Sequence, residues 1–217
     1  MKKKTIAMFI NDPKCSVQSG NGVLKALEDH YHFKLFSKNE MEDGFFNKDI
    51  DMILVPGGFG DADSFDKLLE KNGKYVRGFV DSGGKYLGIC MGAFWAGKHY
   101  FNILKDIDVV QYITQPGTCT KRPHAKNMPT LWYNGHYQDM FFYDGPTFVG
   151  ESDYEIHATY SNTGMPMAII QDNVACIGCH PESEEFWYES YSWMKGKYHN
   201  GLQHELLLDF VNEFMER

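Results

Sequence analysis

The chain has 217 residues, 43% hydrophobic and 23% charged, the balance of one ordinary globular domain spanning residues 1–217. A formal net charge of −8 works against a nucleic-acid or anionic-membrane surface, and no apolar stretch is long enough to cross a bilayer. Five cysteines, an odd number without scaffold spacing, point to a reducing, cytoplasmic compartment.

Lys2 to Lys4 followed by the apolar run 5–10 resembles the opening of a signal peptide. The run is short, and Asn11-Asp12-Pro13 closes it without a small-residue cleavage site, so a first strand is predicted. Segment 11–22 is polar and Gly-containing and reads as a loop. Val23, Leu24 and Leu27 then carry helical spacing through His30. Residues 32–36 alternate as a short strand, and 52–55 form a continuous apolar strand ending in Pro56-Gly57-Gly58. A short helix and turn are predicted over 61–72, and a helix over 75–82 that Gly83-Gly84 terminates. Strand, helix, strand, helix, strand implies a parallel, doubly wound sheet with its ligand crevice beyond the C-terminal strand ends.

From Asp108 the texture changes. Short β-like runs at 109–113, 131–133, 139–143, 147–149, 154–160 and 167–171 alternate with Gly, Pro and Asn turns. They read as antiparallel, an added sheet or lid over the first half. Residues 174–179 form another continuous strand, and 184–195 and 202–215 read as closing helices.

The chemistry gathers at 85–97, KYLGICMGAFWAG. A strand runs into Gly88-Ile89-Cys90-Met91-Gly92 and a small-residue helix follows. Glycines on both sides permit a sharp strand-to-helix turn that lifts the Cys90 sulfur above the sheet edge. A helix N-terminus there favours thiolate, and the Met91 N–H becomes an oxyanion donor. Taken alone, the string also fits a buried cysteine in a glycine-flanked strand.

His180 and Glu182 stand two apart at another strand end, on one face, with Pro181 stiffening the backbone between them. An imidazole beside a carboxylate is the pairing a cysteine nucleophile needs; the same residues could form a surface turn. Pro56-Gly57-Gly58 could bare N–H groups toward an oxyanion, or simply make a turn.

Three blocks, VPGG, GICMGAFWAG and GCHPE, in this order and spacing, resemble the class I glutamine amidotransferase-like superfamily. The resemblance implies a flavodoxin-like, three-layer α/β sandwich with a mainly parallel central sheet, carrying extra antiparallel strands in the second half. It implies Cys90 as nucleophile, His180 as base, Glu182 as orienting acid, and Gly58 and Met91 as oxyanion donors. Phe94 departs from the pattern: glutaminases of this superfamily usually carry Gln four residues after the Cys, so glutamine hydrolysis is not expected.

A narrower resemblance covers most of the chain. Asn11, the PGG at 56–58, FVDSGGKYLGICMGAFWAG, Gln115-Pro116-Gly117-Thr118, Trp132-Tyr133-Asn134-Gly135 and HPE are similar to the N-terminal domain of eukaryotic-type biotin protein ligases. It implies a pocket drawing on Gly57, Asn11, Phe94, Thr118, Tyr133 and Asn134. No Gly-Arg-Gly-type string of the ligase half is present, so biotinylation is not expected.

The reading is therefore a cysteine-dependent hydrolase or acyl- or amide-transfer enzyme acting on a small-molecule or peptide-like carbonyl. No cofactor or metal is expected, nor nucleic acid or membrane, and self-association stays open. One alternative is a catalytically idle binding or regulatory module. Another is redox or aldehyde chemistry at Cys90 of the DJ-1/PfpI kind; that group usually places a Glu near the end of the first strand to touch the Cys, whereas Asn11 and Asp12 occupy that region here. Cys176-x-x-Cys179 reads as buried strand cysteines rather than a zinc site, since residues three apart on a strand face opposite ways. Asp61, Asp63 and Asp66 lack the rest of a calcium loop.

Overall fold

The computed structural model describes residues 3–217 apart from 12–16, 43, 48, 59–68 and 70. Most apolar runs become strands of one nine-stranded sheet, in the order β2-β1-β3-β4-β11-β10-β9-β6-β7. The first half supplies β1 (Thr5–Phe9), β2 (His32–Phe36), β3 (Met52–Val55) and β4 (Lys85–Ile89), joined by β11 (Val174–Ile177). These five are mutually parallel. The helices are α1 (Val17–Leu27), α2 (Gly73–Asp81), α3 (Met91–Trp95), α4 (Glu185–Glu189) and α5 (Leu202–Glu216).

Continuous apolar strands arise because the parallel strands are buried on both faces. Ile6, Met8, Met52, Leu54, Leu87 and Ile89 point into a core closed by α1 and α5. Their alternates Ala7, Phe9, Ile53, Val55 and Tyr86 point into a second core closed by α2 and α3. The result is the expected flavodoxin-like three-layer α/β sandwich.

The second half is not a lid. The strands β10 (Pro166–Gln171), β9 (Glu155–Tyr160), β6 (Lys126–Trp132) and β7 (Tyr137–Phe142) extend the same sheet antiparallel, outward from β11. Only β5 (Ile107–Gln111) and β8 (Pro146–Gly150) form a separate antiparallel pair. The helix expected over 184–195 stops at Glu189, and its aromatic residues pack a small cluster of their own around Phe141. Helix α1 begins six residues earlier than its apolar spacing indicated, inside the presumed loop. Most of the helix expected over 61–72 lies outside the described residues, as do Asp12, Cys15, Asp61, Asp63 and Asp66. Among the described residues, no helix is long and apolar enough to cross a membrane.

Candidate active site

Strands β3, β4 and β11 run parallel, so Gly57, Cys90 and His180 emerge at one edge of the sheet. Cys90 is the hinge between β4 and α3, with φ 50° and ψ −101°, a conformation costly for a residue with a Cβ. Its own N–H is held by the carbonyl of Ile177 at 2.8 Å, which ties the turn to β11. The flanking glycines serve close packing. A Cβ on Gly88 would lie 2.4 Å from the Gly92 carbonyl, and one on Gly92 would lie 2.0 Å from the Val55 oxygen. Beneath them the Tyr86 hydroxyl donates to the Gly92 carbonyl at 2.7 Å.

α3 has only five residues. It leaves the Met91 N–H without an intrahelical acceptor but aligns few peptide dipoles. So short a helix gives little of the dipole effect expected at Cys90.

His180 follows β11 and is almost fully buried. Its N–H bonds to the Phe141 carbonyl at 2.9 Å, and Phe141 and Trp187 present ring edges to the imidazole at 6.0 and 5.4 Å. Nδ1 lies 2.8 Å from Glu182 Oε1, and the Cys90 side chain is near enough to the imidazole to bear on its charge. Burial opposes its charge most strongly. The Cys90 and Glu182 charges, and the hydrogen bond to Glu182, outweigh it and hold the imidazole's pKa above the usual histidine range. His180 and Glu182 are thus in direct contact at the sheet edge from which Cys90 also emerges.

Glu182 is fully buried, and α1 closes over it. The Ser19 hydroxyl donates to Glu182 Oε1 at 2.6 Å and accepts the Gly57 N–H at 2.9 Å. Gly22 fits because a Cβ there would lie 2.0 Å from the Glu182 carbonyl oxygen. Neither Ser19 nor Gly22 was singled out from the sequence; the small residues of Ser19-Gly20-Asn21-Gly22 were the available signal, and it was read as loop composition.

The other pocket residues distribute unevenly. Gly57 touches the catalytic candidate directly: a Cβ would sit 2.5 Å from His180 Cε1, and its N–H is committed to Ser19. Gly58 follows it, half-buried, and Asn11 is half-buried just past the C-terminal end of β1. Phe94 is half-buried one turn beyond Cys90, its N–H bonded to the Cys90 carbonyl at 3.0 Å. Thr118 spends its hydroxyl on its own loop, 3.1 Å from the carbonyls of Gln115 and Thr120.

Tyr133 and Asn134 lie elsewhere. β10 is antiparallel to β11, β9 to β10 and β6 to β9, so β6 runs against β4 and ends at the opposite edge. Tyr133 is 86% exposed there and bonds the His157 carbonyl, with Asn134 in the same exposed turn. Pocket membership for these two is corrected by topology: the hairpin tip points away from Cys90.

At that far edge Glu155, His157 and Glu213 bring potential metal-binding atoms within 4.8 Å of one another. Arg217 already bridges both carboxylates, at 2.7–2.8 Å from Glu155 and 2.7 Å from Glu213. Cys176 and Cys179 are buried and free, and burial raises both thiol pKa values; Cys119 is exposed.

Residues 12–113 match the family described as Biotin-protein ligase, N terminal, a stretch that holds Pro56 to Gly58 and Cys90 but not His180 or Glu182. Over 154 residues the chain is 25% identical to imidazole glycerol phosphate synthase subunit HisH of Herpetosiphon aurantiacus, covering 62% of this chain and 70% of that protein. A glutamine amidotransferase structure from Thermotoga maritima superposes with a TM-score of 0.70 at 11% identity, covering 100% of both chains. The PurLQS structure from the same organism gives 0.65 at 16% identity, covering 97% of this chain and 100% of the other. The fold is that of the class I glutamine amidotransferases. Within it, the chain is an amidotransferase-like domain related to the N-terminal domain of biotin-protein ligase.

Proposed function

We propose that this domain is a cysteine-nucleophile enzyme that hydrolyses or transfers an acyl or amide group. The observation that carries this reading is Cys90, held at a strained positive φ beside a buried imidazole that Glu182 orients from behind. Strain of this kind costs about 1–3 kcal/mol and persists where surrounding structure imposes it.

In the proposed reaction Cys90 and His180 start as a thiolate–imidazolium pair. The sulfur attacks the substrate carbonyl, and the oxyanion is received by the N–H groups of Gly58 and Met91. As the tetrahedral adduct collapses, the leaving group takes the proton from His180, giving a thioester on Cys90. Water or an amine, deprotonated by His180, then attacks the thioester, and collapse expels Cys90 as thiolate beside the imidazolium, restoring the starting pair. Glu182 holds Nδ1, so the other ring nitrogen faces the sulfur. Phe94 in place of the usual Gln points the substrate away from glutamine, toward a less polar small-molecule or peptide-like carbonyl. No cofactor is called for by these steps, and self-association is not required.

A second reading, an idle binding module, is favoured by the closure of the site: Cys90 is 8% exposed and His180 5%. The two readings part in one experiment. Incubation with a panel of aryl thioesters and activated amides, followed by intact-mass spectrometry, is expected to show a single acyl adduct that is lost in Cys90→Ser and that forms more slowly and does not turn over in His180→Ala. Absence of any adduct on the wild-type chain across the panel favours the binding module.

A further inference from the structure

We infer that Ser19 of α1 is a positioning residue of the Cys90 site, an inference that rests on Cys90 being a nucleophile. Ser19 is completely buried. Its oxygen accepts the Gly57 N–H at 2.9 Å, which occupies one side of the hydroxyl and directs its proton to Glu182 Oε1, 2.6 Å away. The same Oε1 accepts from His180 Nδ1 at 2.8 Å. Among the described residues Glu182 Oε2 has no hydrogen-bond partner and no access to water.

A buried carboxylate with both donors on one oxygen has its rotation set by those two donors. The histidine is one and must itself be oriented, so the independent constraint is Ser19. The hydroxyl also supplies charge-assisted solvation that water cannot reach to provide. Through Gly57 the same group fixes the β3 terminus that carries the neighbouring Gly58 N–H. Ser19 thus couples the orientation of the imidazole to the proposed oxyanion loop, acting through Glu182 and Gly57 rather than on the reacting carbonyl.

The test is the pH profile of iodoacetamide alkylation at Cys90, resolved by peptide mass spectrometry, with exposed Cys119 as internal standard. Loss of one charge-assisted hydrogen bond predicts that Ser19→Ala slows Cys90 about tenfold at pH 6–7 and moves its profile upward by about one pH unit. Ser19→Thr restores both, and Ser19→Val, of the same shape without the hydroxyl, does not. The Thr and Val pair decides the matter if the alanine variant unfolds. A Ser19→Val profile that superimposes on wild type, while His180→Ala slows Cys90, overturns the role of Ser19 alone. A wild-type Cys90 no faster than Cys119 and indifferent to His180→Ala overturns both this inference and the enzyme reading.

Discussion

At the scale of single residues, the site is a chain of three contacts running from the interior to the sulfur. Ser19 fixes Glu182, Glu182 fixes Nδ1 of His180, and the imidazole lies beside Cys90 at the same sheet edge. Removing the carboxylate charge while keeping its shape is the cleanest disturbance of the middle contact. An adjacent carboxylate ordinarily raises a histidine pKa by about 1–3 units. Glu182→Gln is therefore expected to slow Cys90 alkylation at pH 7 by at least about tenfold, as read by quantitative mass spectrometry. An unchanged rate separates Glu182 from the chemistry. The backbone at Cys90 supplies a second expectation. Glycine adopts φ 50° readily whereas alanine does not. Cys90→Gly should unfold at a higher temperature than Cys90→Ala, by the equivalent of about 1 kcal/mol in calorimetry, and a reversed order would mean that the turn is unstrained.

At the scale of elements, α1 and its glycines carry the lesson. Gly22 inside a helix costs about 1 kcal/mol relative to Ala, so propensity alone recommends Gly22→Ala as stabilising. The close approach to the Glu182 carbonyl reverses that sign. The substitution is expected to lower stability by about 1–3 kcal/mol in urea denaturation and to reduce Cys90 reactivity together with it. A more stable and equally reactive variant would show that α1 does not seat Glu182. The same glycines explain what the sequence concealed. The strands at 52–55, 85–89 and 174–177 were legible because burial on both faces makes unbroken apolar runs. The Cys90 turn was legible because glycines bracket it. α1 was misread because Ser19 and Gly22, which by composition belong to loops, are present for contacts with Glu182, over 150 positions away in the chain. The hairpin tip at Tyr133 and Asn134 was misplaced for a related reason: its edge of the sheet depends on the count of antiparallel steps from β11, and no local pattern carries that count.

At the scale of the whole molecule, two buried histidines place opposite demands on pH. His199 is buried, with its ring between the Ser183 carbonyl at 2.9 Å and the Gly201 N–H, and burial lowers its pKa from 6.5 to about 4. The unfolded chain thus binds a proton that the folded chain refuses, so the contribution is complete above pH 6.5 and is lost as pH falls from about 6.5 to about 4. His180 has a raised pKa, and its contribution is present below pH 6.5 and is lost as pH rises through the raised value. Melting temperature should fall on acidification below pH 6.5, and His199→Gln, less stable at neutral pH, should show a flatter acid limb. An acid limb unaltered by that substitution would assign the loss to other groups.

The central claim is that the parallel strand ends assemble Cys90, His180 and Glu182 into a working nucleophile. The most direct measurement is the rate of iodoacetamide alkylation at Cys90 against Cys119 at pH 6 to 7, in wild type and in His180→Ala. A Cys90 that reacts far faster than Cys119, and slows when His180 is removed, is the expected result. A Cys90 that reacts no faster than a free thiol of pKa about 8.5, or at the same rate in both proteins, would contradict it.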